Sequence, residues 1–135
     1  MRTEQAAPAL GIAGCLAVVV TLALPYLVAT GWGAQLGRYY AAGPLGVGAV
    51  LFLALVGAVV FLAGVRGRTD RTTAAGISLA LGVVALLVAL LWAVSASLQP
   101  LFGFPASWIV GHRWYVVAVT AVIPAAAAAY ARAVL

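Results

Sequence analysis

The chain consists of long apolar runs separated by short polar segments. Four runs cover residues 8–30, 44–65, 74–98 and 114–135. Each reaches the roughly 20 residues that a helix needs to cross about 30 Å of hydrocarbon. Lipid offers no partner to a backbone N–H or C=O group, and the runs lack the alternation of barrel strands, so helices are required. The pattern predicts an all-α fold: a four-helix transmembrane bundle forming a single domain over residues 1–135.

A break is predicted between the third and fourth runs. Pro100, Gly103 and Pro105 prevent a regular helix from continuing through "QPLFGFPASWIVGHRW". We therefore expect this segment to bend out of the third helix and lie along the outer membrane surface. Residues 107–110 are expected to form a short interfacial turn, and the fourth helix to begin near Trp114.

Two of the runs contain a proline four residues after a threonine. "TLALP" ends at Pro25 and "TAVIP" ends at Pro124. A proline frees the carbonyl of the residue four positions earlier, here Thr21 or Thr120, and in lipid that carbonyl must find another partner. We expect static kinks fitted to the bundle, with threonine hydroxyls able to help. A transporter hinge is the alternative interpretation.

Small residues recur at every fourth position in the third and fourth runs, which predicts close approach of helix backbones. The abundance of alanine leaves the actual contact faces open. The two stripes are Ala85, Ala89, Ala93 and Ser97, and Ala121, Ala125, Ala129 and Ala133.

The charges predict an orientation. The chain has seven arginines, no lysine and two acids. Arg66, Arg68 and Arg71 crowd one short loop, which the positive-inside rule places in the cytoplasm together with both termini. The same three arginines are candidate contacts for anionic lipid head groups. Asp70, with the threonines that follow it, is expected to cap the third helix.

Most aromatic residues fall in the outer half of this topology, where they can anchor the chain or contact another protein. With their polar neighbours they form a candidate outer interface: Trp32, Tyr39, Tyr40, Phe102, Phe104, Trp108, His112, Arg113 and Trp114.

His112 is the only histidine in the chain. We expect it at the head-group boundary, where it and Arg113 can donate to phosphates or to the end of a neighbouring helix. Catalysis would need a hydrogen-bonding partner and a metal would need further ligands, and the sequence places neither nearby. Cys15 is alone, so it can form no disulfide within the chain.

The four predicted helix cores contain no Asp, Glu, Lys, Arg or His, the residues that mark proton and ion paths in membranes. Arg132 lies close enough to the inner end of the fourth run for its side chain to reach the head groups. We therefore expect no catalytic residue, cofactor or metal. The favoured function is a non-catalytic accessory or structural subunit of a plasma-membrane complex, with lipids and other subunits or further copies as partners. The arginines form no basic stripe, so nucleic acid is not an expected partner.

Two alternatives stay open. One is an oligomeric passive channel or carrier for a small neutral solute, which would need a water-wide path lined by hydroxyls and carbonyls. The other is a membrane enzyme completed by a partner subunit that faces His112 or Arg113.

The segments "RTDRTTAAG", "GHRWYVVAVTAVIP" and "YARAVL" carry a resemblance that extends over nearly the whole chain. It resembles a group of small uncharacterised four-helix membrane proteins of haloarchaea. The resemblance implies a four-span membrane protein without an assigned activity, and it carries over no catalytic residue.

Overall fold

The computed structural model describes residues 2–28, 31–96, 102–104 and 107–135, apart from the side chain of Glu4. Within these ranges the chain is all-α, as predicted, with no strand. The helices are α1 (Thr3–Val28), α2 (Gly33–Tyr40), α3 (Gly48–Val65), α4 (Arg71–Ser95) and α5 (Ile109–Val134).

Four of the helices are long and apolar enough to cross a membrane, over Gln5–Val28, Gly48–Val65, Arg71–Ser95 and Ile109–Val134. The fifth, α2, has only eight residues and was not predicted. Helix α5 begins at Ile109, well before Trp114, so residues 109 and 110 of the predicted turn are helical. The predicted ends of the first and third spans, at residues 30 and 98, lie outside the described residues. The prolines at 100 and 105 lie outside them as well.

The loop between α3 and α4 is fixed at both ends by local hydrogen bonds. Gly67 adopts a φ of +71°, and the Arg68 N–H donates to the Ala63 carbonyl at 2.9 Å, which is a Schellman ending for α3. On the other side, the Asp70 Oδ2 accepts from the Thr73 N–H at 3.2 Å. The predicted cap of the third long helix by Asp70 is confirmed.

The four long helices pack side by side, so that α1 and α4 each lie between α3 and α5. The two helices α4 and α5 approach closely at Gly82, where an added Cβ would lie 2.8 Å from the Pro124 nitrogen. The part of α5 that contains Pro124 therefore fits against a position without a side chain.

Only one of the two predicted small-residue stripes faces the interior. Ala85, Ala89 and Ala93 of α4 are buried. In α5, Ala125 and Ala133 are exposed, and the buried face passes instead through Thr120, Ile123, Ala126, Ala127 and Tyr130.

The molecule has two chemically different ends. The α2 end contains α2, the end of α1 and the start of α5. The arginine-loop end contains residues 66–71, which join α3 to α4. Ring contacts follow this division, because Tyr39, Tyr40, Trp92, Trp108 and His112 contact one another at the α2 end. Phe61 and Tyr130 pair toward the other end.

Candidate functional site

A group of buried and half-buried residues with polar atoms lies at the α2 end. We call it the histidine cluster, and it consists of Thr21, Tyr39, Tyr40, Trp92 and His112. Its members come from α1, α2, α4 and α5, so it joins three of the spanning helices to the short helix α2. His112 is only 1% exposed and Tyr39 is fully buried.

Both ring nitrogens of His112 have partners. Nε2 lies 2.7 Å from the Thr21 carbonyl oxygen, and Nδ1 lies 3.2 Å from the Tyr39 hydroxyl. A carbonyl oxygen can only accept, so Nε2 carries the hydrogen. In the neutral ring Nδ1 is then the acceptor, and Tyr39 donates to it. Imidazole, phenol and carbonyl form one hydrogen-bonded chain.

The Thr21 carbonyl is available because of Pro25. Proline has no N–H, so the carbonyl four residues earlier loses its usual helical partner. The expectation that this carbonyl finds another partner is confirmed, and the partner is His112. The Thr21 hydroxyl does not help, because it donates to the Ala17 carbonyl at 2.7 Å. The carbonyl of the following residue, Leu22, accepts a hydrogen bond from the Tyr40 hydroxyl.

Trp92 of α4 holds the C-terminal end of α2. Its Nε1–H donates to the Tyr39 carbonyl at 2.9 Å. Its ring packs edge-on against the Tyr39 ring at a centroid distance of 5.1 Å. The last carbonyls of a helix lack intrahelical donors, so Trp92 satisfies one that would otherwise be buried without a partner.

The two phenols of α2 stay protonated near neutral pH. Burial raises the pKa of Tyr39 above the ordinary tyrosine value, and nearby Arg113 opposes part of that rise. Burial also raises the pKa of Tyr40, with a further contribution from the neighbouring tyrosines. Tyr39 and Tyr40 therefore act as hydrogen donors in the cluster.

Arg113 binds the end of α4. One terminal nitrogen donates to the Ala96 carbonyl at 2.6 Å, and the guanidinium lies 5.7 Å from the Trp114 ring centroid. Its buried Nε–H has no hydrogen-bond partner among the described residues. A cation is favourable at a helix C-terminus. This is the contact with a neighbouring helix end that was one of the two expectations for Arg113.

The expectation that His112 donates to lipid phosphates is wrong, because its ring is buried and both ring nitrogens have partners inside the chain. The expectation that no Asp, Glu, Lys, Arg or His lies in a helix core is wrong for His112, which is buried within the long apolar helix Ile109–Val134. Tyr39 is likewise too deeply buried to contact a partner directly. Among the described residues no three His, Cys, Asp or Glu side chains converge as metal ligands would.

The other residues of the candidate outer interface divide into packed and exposed side chains. Trp32 and Phe104 are partly buried and pack edge to face at 5.2 Å. Phe102 is 91% exposed, and Trp108 and Trp114 are also exposed. Tyr115, outside the predicted set, is exposed beside them. These exposed rings are the part of the predicted interface that a second molecule could reach.

The three loop arginines lie at the opposite end of the molecule and do not act as one group. Arg66 and Arg71 line a pocket of about 320 Å³ together with Gln5 and Tyr130. Arg68 instead shares with Arg66 a separate groove beside α3. Sequence analysis missed Tyr130, although a lone phenol near the end of an alanine-rich helix, close to Arg132, was a visible signal.

The four spanning helices define a helical membrane protein, and the histidine cluster joins three of them at one end. The chain belongs to a family of unknown function, DUF7548, whose profile matches residues 1–135. No curated protein and no solved structure matches the chain. The resemblance to uncharacterised proteins is thus confirmed at the level of the family, and the haloarchaeal source stays a prediction.

Proposed function

We propose that this protein is a non-catalytic structural subunit of a larger membrane assembly, which it contacts through aromatic side chains at the α2 end. The observation that carries this proposal is the contrast at that end between buried polar groups, which already have partners, and exposed aromatic rings. The polar groups of the histidine cluster bond to one another inside the chain, whereas Phe102, Trp108 and Trp114 are exposed around it. A fixed scaffold thus presents aromatic groups outward.

The partner we propose is another membrane protein. Aromatic side chains are frequent anchors of protein interfaces, because a rigid ring buries much area for little loss of conformational freedom. Phe102 has no polar atom to place in a head-group layer, and it is 91% exposed in a turn outside the helices. A protein surface with an apolar pocket would remove this ring from water.

We propose that the protein lies in the plasma membrane, with the arginine loop and both termini in the cytoplasm. Arg66, Arg68 and Arg71 support it, since clustered arginines in a short loop are retained inside during insertion. The α2 end then lies at the outer face of the membrane, where the partner protein would contact its exposed aromatic rings.

The packing of the interior supports a solid scaffold over a pore through one copy. Val18, Val50, Ala89 and Ile123 come one from each of the four spanning helices, and each is at most 1% exposed. Such side chains fill the space between helices at the density of a protein core. A solute path between several copies of the chain is the alternative function, and the crosslinking experiment below also tests it.

The test uses a photo-crosslinking amino acid at Phe102 or Trp114 in native membranes, with Leu87 as the control. Leu87 is also exposed, but it lies within α4. We expect positions 102 and 114 to crosslink to one and the same membrane protein, and position 87 to crosslink to no protein.

The crosslinked partner should also copurify in fixed stoichiometry, and a Phe102→Ser, Trp114→Ser double variant should lose it while still inserting. Crosslinks from 102 and 114 to lipid alone would overturn the proposal. Crosslinks only to a second copy of this chain would overturn it in favour of an oligomer, whose solute flux can then be measured in vesicles.

A further inference from the structure

The arginine-loop end contains a pocket to which all four spanning helices contribute. It holds about 320 Å³, and its polar lining groups are Gln5 of α1, Arg66 after α3, Arg71 of α4 and Tyr130 of α5. Most of the interior is apolar, so this convergence of one amide, two guanidinium groups and one phenol is chemically distinct. Two of these four polar side chains are cationic, and the part of the lining that the structure describes contains no acid.

The Tyr130 hydroxyl is buried without a hydrogen-bond partner among the described residues. The side chain is 0% exposed, and its ring packs against Phe61 with centroids 6.4 Å apart. A buried hydroxyl without a partner is unfavourable, and such groups are rare in native proteins. An acceptor from outside the described residues would therefore satisfy this hydroxyl.

Gly64 makes room for the hydroxyl at the wall of the pocket. A Cβ at position 64 would lie 2.6 Å from the Tyr130 oxygen, so any other residue would displace the ring. Gly64 and Tyr130 both line the pocket, and the hydroxyl end of the ring is the part that meets Gly64. The phenol is thus directed to the same space as the two guanidinium groups.

The acid of the loop is engaged elsewhere. The Asp70 Oδ2 accepts from the Thr73 N–H at 3.2 Å and lies 3.4 Å from the Thr73 hydroxyl, as the cap of α4. Asp70 does not line the pocket, whose described lining includes Arg66 and Arg71. An anion in this pocket would meet the guanidinium groups of Arg66 and Arg71 and the O–H group of Tyr130.

We propose that this pocket binds a phosphate-bearing anion, whose oxygens accept from the Tyr130 hydroxyl and from Arg66 and Arg71. Guanidinium groups bind phosphate oxygens through paired hydrogen bonds. The three donors come from three different parts of the fold, which suits a tetrahedral group better than a flat carboxylate. The phosphate can belong to the head group of an anionic phospholipid or to a soluble phosphate.

This site is more specific than attraction to a positively charged loop. Arg68 is in the same loop but outside the pocket. If anion binding came only from the total positive charge of the loop, loss of any loop arginine would weaken binding equally. Binding in the pocket instead depends on Arg71 and Tyr130 and tolerates loss of Arg68. Arg68→Gln is therefore the matched control.

The experiment measures binding to the purified full chain in neutral detergent. Native mass spectrometry compares phosphatidylglycerol with phosphatidylcholine, and calorimetry tests inorganic phosphate. Tyr130→Phe and Arg71→Gln should each lower affinity for the preferred anion about tenfold or more, as expected for a hydrogen bond to a charged group. Arg68→Gln should change it less than about twofold. Preference for phosphatidylglycerol without phosphate binding identifies a lipid, and binding of inorganic phosphate identifies a soluble ligand.

A second measurement separates binding from folding. Tyr130→Phe removes only the unpartnered oxygen, so without anion it should melt at the same temperature as the unmodified chain or higher. Added anion should then raise Tm for the unmodified chain and much less for the variant. If Arg71→Gln does not fold, Arg66→Gln takes its place.

The proposal is overturned if neither anion binds, if Tyr130→Phe binds as tightly as the unmodified chain, or if Arg68→Gln weakens binding as much as the pocket variants. Its outcome is independent of the proposed assembly, because Tyr130→Phe should leave crosslinking from position 102 unchanged.

Discussion

His112 donates through Nε2 to the Thr21 carbonyl at 2.7 Å, the same carbonyl that Pro25 deprives of its helical donor. A side chain of the last spanning helix thus replaces a backbone hydrogen bond missing from the first. This relationship gives the only histidine of the chain a role in holding the fold. The backbone hydrogen bond that Pro25 removes from α1 and the burial of His112 are therefore energetically coupled.

We expect His112→Ala to destabilise the protein. Loss of the ring leaves the Thr21 carbonyl and the Tyr39 hydroxyl buried without partners, at about 1–3 kcal/mol each. The free energy of unfolding in detergent should fall by about 2–6 kcal/mol, and thermal unfolding with tryptophan fluorescence can measure the loss.

A double-mutant cycle with Pro25→Ala tests the physical cause. Alanine restores an N–H that can bond to the Thr21 carbonyl, so His112→Ala should cost less in the Pro25→Ala background, by about 1 kcal/mol or more. Additive effects of the two substitutions would show that the histidine does not compensate for the proline.

Tyr39→Phe should cost about 1–2 kcal/mol, because the variant keeps the ring contacts with Trp92 but removes the donor to Nδ1 of His112. Tyr115→Phe is the matched control, since that phenol is 62% exposed on α5. Chemical unfolding of both variants should separate them clearly. Equal stability of the two would contradict the hydrogen bond between Tyr39 and His112.

Alkaline pH should destabilise the protein through the same phenols. Burial raises the pKa of Tyr39 and Tyr40 in the folded chain, so the unfolded chain loses these protons first as the pH rises. Their contribution to stability is complete below about pH 10, the ordinary pKa of tyrosine, and is lost above it. Tm measured from pH 8 upward should fall beyond that point, and less steeply in Tyr39→Phe. An unchanged slope in that variant would count against the burial argument.

Gly82→Ala should separate α4 from α5 locally. The new Cβ would lie 2.8 Å from the Pro124 nitrogen and 2.9 Å from its Cα, and backbone atoms cannot move aside alone. We expect a loss of about 1–3 kcal/mol in the free energy of unfolding. Gly76→Ala, in the same helix with nothing within 4 Å, should be neutral or stabilising by up to about 1 kcal/mol. Destabilisation of both would point to flexibility of α4 rather than to its contact with α5.

The sequence predicted those features that depend on short-range chemistry. Hydropathy located the four long helices, because each had to satisfy its own backbone in lipid. Asp70 was identified as a cap from its position before the third long helix, and Pro25 identified Thr21 as a carbonyl in need of a donor. Each of these inferences uses residues within a few positions of one another.

The partner of the Thr21 carbonyl could not be predicted in the same way, because His112 lies 91 positions away in the sequence. Pro100, Gly103 and Pro105 favoured an interfacial segment that continued to Trp114, whereas α5 begins at Ile109. Helix α2 carried a weak signal, since Leu36 and Tyr39 are spaced to share one helical face and both are buried. Tyr130 was overlooked because its meaning depends on Gly64 and Arg71, which come from two other helices.

The distance along the chain between His112 and Thr21 also has a consequence for biosynthesis. The first span enters the bilayer with a carbonyl whose donor has not yet been translated, so α1 is incomplete until α5 follows it. A nascent or truncated chain without α5 would expose that defect to the membrane quality-control machinery. Completion of the last helix would then be the step that makes the newly made protein resistant to degradation.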